Sequence, residues 1–443
     1  MTQSTRVVDP IRHESEVLET LGIVPEPDNL FHQVLQRTLA AGELAGVRAE
    51  YQLILAQPKN EITVHFPVRM DDGSWRVFAG YRVQHNDALG PYKGGLRFHP
   101  RTTLSDLRGL ALHMTMKCAL LRLPLGGACG GVAVDGRVLS RDEMMRVVRR
   151  YATAIGHQVG ANYDIPGPER GADHQMMAWF ADTIAQMTPD ASRQGTRPIV
   201  TGKPPELGGM AMRDTAVGGG FVFVLREMLP ELGLSMRGLR FSVAGYGRIG
   251  SQVARMMVTA GATMVAAADR RGGVANAEGI DPIDLGDHMQ DEGTVCGWSG
   301  KPTLSEEEFY RQKVDVLILA AGERTIDGER AAMVQAPVVA EAANLPWTAD
   351  SDDVFLRRGI EVLPSVLCNA GGVVGSYLEW MQNRSHVAHS PQDIDTRLEQ
   401  ALVLAARRMK LARVRYDCDW RTAAYAAAME HLGRVYELRG IFP

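Results

Sequence analysis

The stretch FSVAGYGRIG, residues 241–250, joins an apolar, β-branched run to the start of a helical pattern through three spaced glycines, Gly245, Gly247 and Gly250. In that context each glycine has a physical task. The first permits a tight turn, the second lets backbone approach a pyrophosphate, and the third lets helix and strand pack closely with the phosphate at the helix N-terminus. Asp269 ends the next apolar run, where a carboxylate accepts hydrogen bonds from the adenosine ribose hydroxyls. Arg270 and Arg271 follow it and are placed to hold a 2′-phosphate instead, so NAD and NADP both remain open. A glycine turn that only packs is the alternative to a dinucleotide site.

Outward from this stretch, strands are expected at Leu239–Ala244, Thr263–Ala268, Val314–Ala320, Val338–Ala342 and Ile360–Leu363, alternating with helices. Such runs argue a parallel sheet covered on both faces, a doubly wound, Rossmann-like domain over residues 201–365. Residues 1–200 mix helices with short strands, among them Ile62–Arg69 and Arg76–Gln84 joined by the turn Asp71-Asp72-Gly73. A helix is expected over Ser105–Leu121, and another from Ser140, where Ser140 and Glu143 have capping-box spacing. Ile394–Leu438 reads as helices alone. The expected plan is therefore α/β in two domains, with C-terminal helices, residues 366–443, returning to the first domain and a cleft between the two.

Bulk properties agree with two domains, because 443 residues exceed one ordinary core. A formal net charge of -4 with 23% charged residues gives no broad basic face for nucleic acid. No apolar run approaches the ~20 residues of a membrane span. The segment Met1–Glu19 has the character of neither a signal nor a transit peptide. Five scattered cysteines, never in a CxxC pair, signal neither a disulfide framework nor a metal site. A reducing cytoplasm is the expected setting.

Four features of the first domain point to anions. On the Ser105–Leu121 helix, Leu110, Met114 and Leu121 form an apolar stripe with Lys117 in its middle, either beside an anion or snorkelling from the core edge. Lys93 sits in GPYKGG, where flanking glycines let backbone and amine approach a ligand. GGACGG, residues 126–131, reads as a loop that something approaches closely, with Cys129 its largest side chain. Asp164 in NYDIPGP is held by Pro166 and Pro168, and by itself reads as a turn aspartate.

Taken in order, GYRVQHNDALGPYKGGLRFHP (80–100), MTMKCALLRLPLGGACGG (114–131), NYDIPGP (162–168), VTGKPPELGG (200–209) and NAGGVVGSYLEW (369–380) form one pattern. Over nearly its whole length the chain resembles the glutamate dehydrogenase family. The resemblance implies NAD(P)-dependent oxidative deamination of glutamate to 2-oxoglutarate and ammonia, and hexameric assembly. It implies that Lys93 and Ser376 hold the side-chain carboxylate of a dicarboxylic amino or oxo acid and that Lys117 holds its α-carboxylate. Asp164 would be the proton-transfer acid, and Asn344 and Asn369 would lie near the nicotinamide and ribose.

One departure from the family pattern bears on the chemistry. Where the family reads GGAKGG, this chain has Cys129, and a thiol cannot supply the positive charge that the lysine lends to the reacting oxygen. The family's EATGRG is TAVGGG here, with Val217 and Gly219, which is expected to weaken cofactor binding; EGAN reads EAAN, and PAPDVGTN reads PGPERGAD. The resemblance is closest to members that lack the lysine and act as regulatory subunits, in a homo-hexamer or with a catalytic relative. A slow or substrate-shifted dehydrogenase is the alternative, and Cys129-dependent nucleophilic chemistry a third.

Overall fold

The computed structural model describes residues 16–188, 193–210 and 213–441, so residues 1–15 of the polar N-terminal segment lie outside the described residues. The chain divides into two compact units. The first draws on residues 12–213, 373–395 and 425–443, the second on 214–372 and 396–424.

In the first unit a sheet of five strands comprises β1 (Asn60–Arg69), β2 (Trp75–Asn86), β3 (Tyr92–Phe98), β4 (Gly127–Val132) and β5 (Asp164–Pro168), ordered β1-β2-β4-β3-β5. β1 and β2 form the expected hairpin, with Gly73 at φ +84° and Met70 N–H bonded to the Ser74 carbonyl at 2.8 Å. β2 and β4 are antiparallel, whereas β3 runs parallel to both β4 and β5. Alternation divides the side chains between the two faces. Phe66, Phe78, Leu96, Phe98 and Val132 point to a core with Tyr151 and Phe180 from the helices Arg141–Ile155 and His174–Met187. The first of those helices starts at the predicted capping box, Ser140 and Glu143 bonding reciprocally. The opposite face is covered by the helix Leu104–Leu121, whose Thr115 lies where a Cβ on Gly127 would collide with it, 2.1 Å from Oγ1.

Three of the glycine- and proline-rich motifs quoted above, two of them expected as a loop and a turn, lie in strands. GGACGG forms β4, buried along its whole length, and GPYKGG and NYDIPGP open β3 and β5. The glycines are there because neighbouring backbone comes close: a Cβ on Gly94 would fall 1.5 Å from the Ala128 carbonyl oxygen. Sequence shows such glycines as turn formers, since the approaching strand belongs to another part of the chain.

The second unit holds six strands, β6 (Arg240–Ala244), β7 (Thr263–Asp269), β8 (Gly272–Ala275), β9 (Val316–Leu319), β10 (Val338–Glu341) and β11 (Glu361–Leu363), in the order β11-β10-β9-β6-β7-β8. All neighbours are parallel except the edge strand β8, which returns antiparallel along β7. Reversal of direction between β6-β7 and β6-β9 makes the carboxyl end of β6 the switch point at which α/β sheets bind ligands. β8 is not among the strands expected from sequence, because GGVA offers no apolar alternation. The C-terminal helices also differ from expectation: residues 396–424 group with the dinucleotide unit, and only 373–395 and 425–443 with the first.

Candidate active site

On β3, side chains alternate so that Leu96 and Phe98 enter the core, leaving Lys93, Gly95 and Arg97 on the face covered by the helix Leu104–Leu121. Cys129 shares that face, because Val132 and Gly130 on β4 point the other way, Gly130 toward the Tyr151 hydroxyl. Lys93 and Lys117 are each 3% exposed. Both ammonium groups act on the Cys118 thiol, although burial outweighs them and pushes that thiol up to about 12. One sulfur thus reports two buried cations around it.

Cys129 has different surroundings. It is 2% exposed, and burial, reinforced by the Glu169 carboxylate, pushes its thiol up to about 12 against the opposing pull of Arg97, Arg82 and the Gly130 N–H. A lowered thiol pKa was the physical requirement for the nucleophile reading, and the environment drives it in the other direction.

Asp164 also departs from expectation. It pairs in register with Tyr92, so it lies on the core face, opposite to Lys93 and Cys129. Its carboxylate is fully buried, gripped by the Arg82 guanidinium through Nε at 2.9 Å and through Nη2, and bonded by Gln84 Nε2 at 2.8 Å. A group with both oxygens engaged and no exposed surface is a structural ion pair, and the geometry argues against Asp164 as the proton-transfer acid. The sequence contained a signal: Arg82 and Gln84 sit two apart in the buried C-terminal part of β2, and their polar face demanded a partner.

The carboxylate on the Cys129 face is Glu169, five residues further on and therefore turned to the other side. Its side chain crosses Gly95, where an added Cβ would fall 2.3 Å from Glu169 Cβ, and ends on Arg97 with bonds of 2.6 and 2.9 Å. Burial opposes ionisation of Glu169, but Arg97 together with Arg170 outweighs it and holds the carboxyl below its usual value. Glu169 lies in the PGPERGAD segment, where neighbours in the chain alone do not reveal the sheet face it takes.

Ser376 is 4% exposed on the helix Gly371–Ser385. That helix is fixed within the first unit: Glu379 accepts from Gly202 N at 2.8 Å and Lys203 Nζ at 2.9 Å, and Trp380 Nε1 donates to the Ala161 carbonyl at 3.0 Å.

In the second unit the glycine turn behaves as its sequence demands. Gly245 has φ +98°, and a Cβ there would fall 2.5 Å from Ala321 backbone. A Cβ on Gly250 would strike the Gly245 carbonyl at 2.0 Å, so helix and turn touch. Gly247, the N-cap of the helix Arg248–Thr259, has nothing within 4 Å of its Cβ position. The result is an open cradle of backbone N–H groups at a helix N-terminus, which fits a pyrophosphate. Asp269 at the end of β7 accepts from Arg271 N at 2.7 Å and Val295 N at 2.8 Å, leaving each oxygen a lone pair for a ribose hydroxyl. Asn369 Nδ2 donates to Asn344 Oδ1 at 2.9 Å, and Asn369 Oδ1 is buried with no partner among the described residues. Gly219 has open space at its Cβ position, room that an arginine would fill. Among the described residues there is no cluster of three metal-ligating side chains and no helix long and apolar enough to cross a membrane.

Comparisons with known proteins agree with this architecture. Residues 208–440 match the Glutamate/Leucine/Phenylalanine/Valine dehydrogenase model, and residues 58–186 match the Glu/Leu/Phe/Val dehydrogenase dimerisation domain. Glutamate dehydrogenase of Thermotoga maritima is 38% identical over 94% of this chain and 99% of its own length. Glutamate dehydrogenase B of Halobacterium salinarum is 37% identical over 94% of this chain and 96% of its own. Hetero-hexameric glutamate dehydrogenase from Thermus thermophilus, in a leucine-bound crystal form, superposes with a TM-score of 0.89 at 39% identity, covering 95% of this chain and 99% of that one. With both domains matched and the relatives spanned almost end to end, the chain belongs to the Glu/Leu/Phe/Val dehydrogenase family.

Proposed function

We propose that this chain binds a dicarboxylic amino or oxo acid together with a nicotinamide dinucleotide and acts as a regulatory companion of a lysine-bearing relative in a shared oligomer. The observation that carries the reading is Cys129, a buried neutral thiol on the same sheet face as Lys93, standing where the family motif GGAKGG has its lysine. Lys117 holds the α-carboxylate, and Lys93 with Ser376 the side-chain carboxylate. When bound, the dinucleotide supplies the hydride acceptor or donor. Gly245, Gly247 and Gly250 hold its pyrophosphate, Asp269 its ribose, and Asn344 and Asn369 its nicotinamide side. Val217 and Gly219 weaken that grip.

With no ammonium at position 129, nothing on that strand neutralises charge developing on the reacting oxygen. Loss of a positioned acid-base group costs about 10²- to 10⁴-fold in rate. A hetero-hexameric glutamate dehydrogenase among the structural neighbours supports assembly with a different chain; a homo-hexamer is the other arrangement. Five free cysteines fit a reducing cytoplasm. Co-expression with a lysine-bearing relative should give mixed oligomers whose glutamate dehydrogenase activity differs from that of the relative alone. Separate oligomers with unchanged activity would remove the companion role.

A second reading, a slow or substrate-shifted amino acid dehydrogenase, is favoured by Glu169, a carboxylate that acts on Cys129 from the same face. Related chains include NAD-specific and NADP-specific glutamate dehydrogenases. Saturable NAD(P)H formation by the purified chain with glutamate or another amino acid would support it, and none above background would exclude it.

A further inference from the structure

We infer that Arg421 is a positioning residue for the nicotinamide half of the dinucleotide site, holding the paired amides of Asn344 and Asn369 through Glu341. Glu341 ends β10 and is 1% exposed. Its Oε2 accepts from Arg421 Nη1 at 2.9 Å and from the Ser365 N–H at 2.8 Å, while Oε1 accepts from Arg421 Nη2 at 2.6 Å. One carboxylate therefore ties together the end of β10, the first residue of the short helix Ser365–Cys368, and Arg421. The chain leaving β10 reaches Asn344 three residues later; the chain leaving the short helix reaches Asn369 at once. Each asparagine hangs from one of the two elements that Glu341 clamps together.

The arrangement is under strain. Leu345, directly after Asn344, has φ +44°, the left-handed region that L side chains disfavour, and is 1% exposed. Its N–H reaches Ser365 Oγ at 3.4 Å and its carbonyl accepts from Arg324 N at 2.9 Å. A backbone in that state persists only where its surroundings over-determine it. Arg421 supplies that constraint: besides Glu341 it bonds Asp352 at 2.9 Å and lies over the Trp347 ring at 4.8 Å, and Trp347 is three residues past Asn344. What the frame presents is an unsatisfied acceptor, the buried Asn369 Oδ1, which the carboxamide N–H of the nicotinamide would complete.

The inference rests on the reading that these asparagines face the nicotinamide, and the test separates the two. Affinities of NADH and of ADP-ribose, which keeps both riboses and lacks only the nicotinamide ring, are measured by titration calorimetry for the full chain and for Arg421→Lys and Glu341→Gln. If NADPH binds more tightly than NADH, the phosphorylated pair of ligands is used. The unmodified chain should bind NADH more tightly than ADP-ribose. Arg421→Lys, which cannot grip both carboxylate oxygens in one plane, should weaken NADH about 10-fold and leave ADP-ribose within about 2-fold; Glu341→Gln, which keeps the shape and the Ser365 acceptor, should do the same. A general loosening would weaken both ligands alike, and that result overturns the inference, as does unchanged NADH affinity in two folded variants. Equal affinity of the unmodified chain for NADH and ADP-ribose, or binding of neither, overturns it at the earlier step by removing the asparagine contact itself.

Discussion

Treated in its native state with an aromatic disulfide reagent at pH 7, the chain should react slowly at Cys129. Burial pushes this thiol from an ordinary 9.0 to about 12. At pH 7 that upward move cuts the thiolate fraction about 1,000-fold relative to an ordinary cysteine. A more basic thiolate is intrinsically more nucleophilic, and with a Brønsted slope near 0.4–0.5 the shift returns about 20-fold. Ionisation alone therefore leaves Cys129 about 50-fold slower than a free thiol. Exposure of 2% lowers the rate further, because the reagent must wait for β4 to open. Burial also pushes Cys118 and Cys418 up to about 12, and Cys368 in the same direction. Cys296 is the only one of the five that is not buried. Stopped-flow absorbance with peptide mapping should thus give one fast phase at Cys296 and slow phases elsewhere. The Cys129 rate should keep rising about tenfold per pH unit beyond pH 9, where an ordinary thiol levels off. Labelling of Cys129 at or above the rate of a small free thiol would refute this reasoning and revive a nucleophilic role.

Other outcomes follow from the same geometry. Cys129→Lys should raise glutamate dehydrogenase activity only part of the way, since Val217 and Gly219 also differ from the family pattern; steady-state turnover equal to that of an ordinary relative would show that those two changes are harmless. Asp164→Asn strands the fully buried Arg82 without its counter-charge and should lower urea-unfolding stability by about 3–5 kcal/mol, whereas a loss under 1 kcal/mol would return Asp164 to candidacy as a functional group. Gly245→Ala should both destabilise the second unit and abolish dinucleotide binding, because its Cβ would fall 2.5 Å from Ala321 backbone; Gly247→Ala, with open space at its Cβ, should keep the melting temperature and weaken only the ligand. His85 is fully buried against the Leu55 carbonyl and Thr115, and burial lowers its pKa to about 4. The unfolded chain binds this proton below pH 6.5 and the folded chain does not. Stability should therefore fall by about 3 kcal/mol between pH 6.5 and 4, and a His85→Gln variant that shows the same slope would disprove the assignment.

What the sequence determined by itself was whatever depends on neighbours in the chain. The strand, glycine turn and helix of residues 241–250 need only consecutive backbone geometry, and so do the capping box of Ser140 and Glu143 and the hairpin turn at Asp71-Asp72-Gly73. Recurring apolar runs separated by helices were enough for the parallel sheet of the second unit. Tertiary structure decided everything that depends on a partner elsewhere in the chain. GGACGG looks like a loop until β2 and β3 flank it. Asp164 looks available until Arg82, from a strand some eighty residues earlier, takes both its oxygens. Glu169 gained its place beside Cys129 from the two-residue alternation of side chains across a sheet, a rule that assigns faces only once the strand is known to be a strand. Residues 396–424 joined the dinucleotide unit for the same reason: helix periodicity shows that a face is buried but not against what. Buried ion pairs and sheet faces are set by which segments meet, and the free energy that selects those meetings is shared across the whole fold.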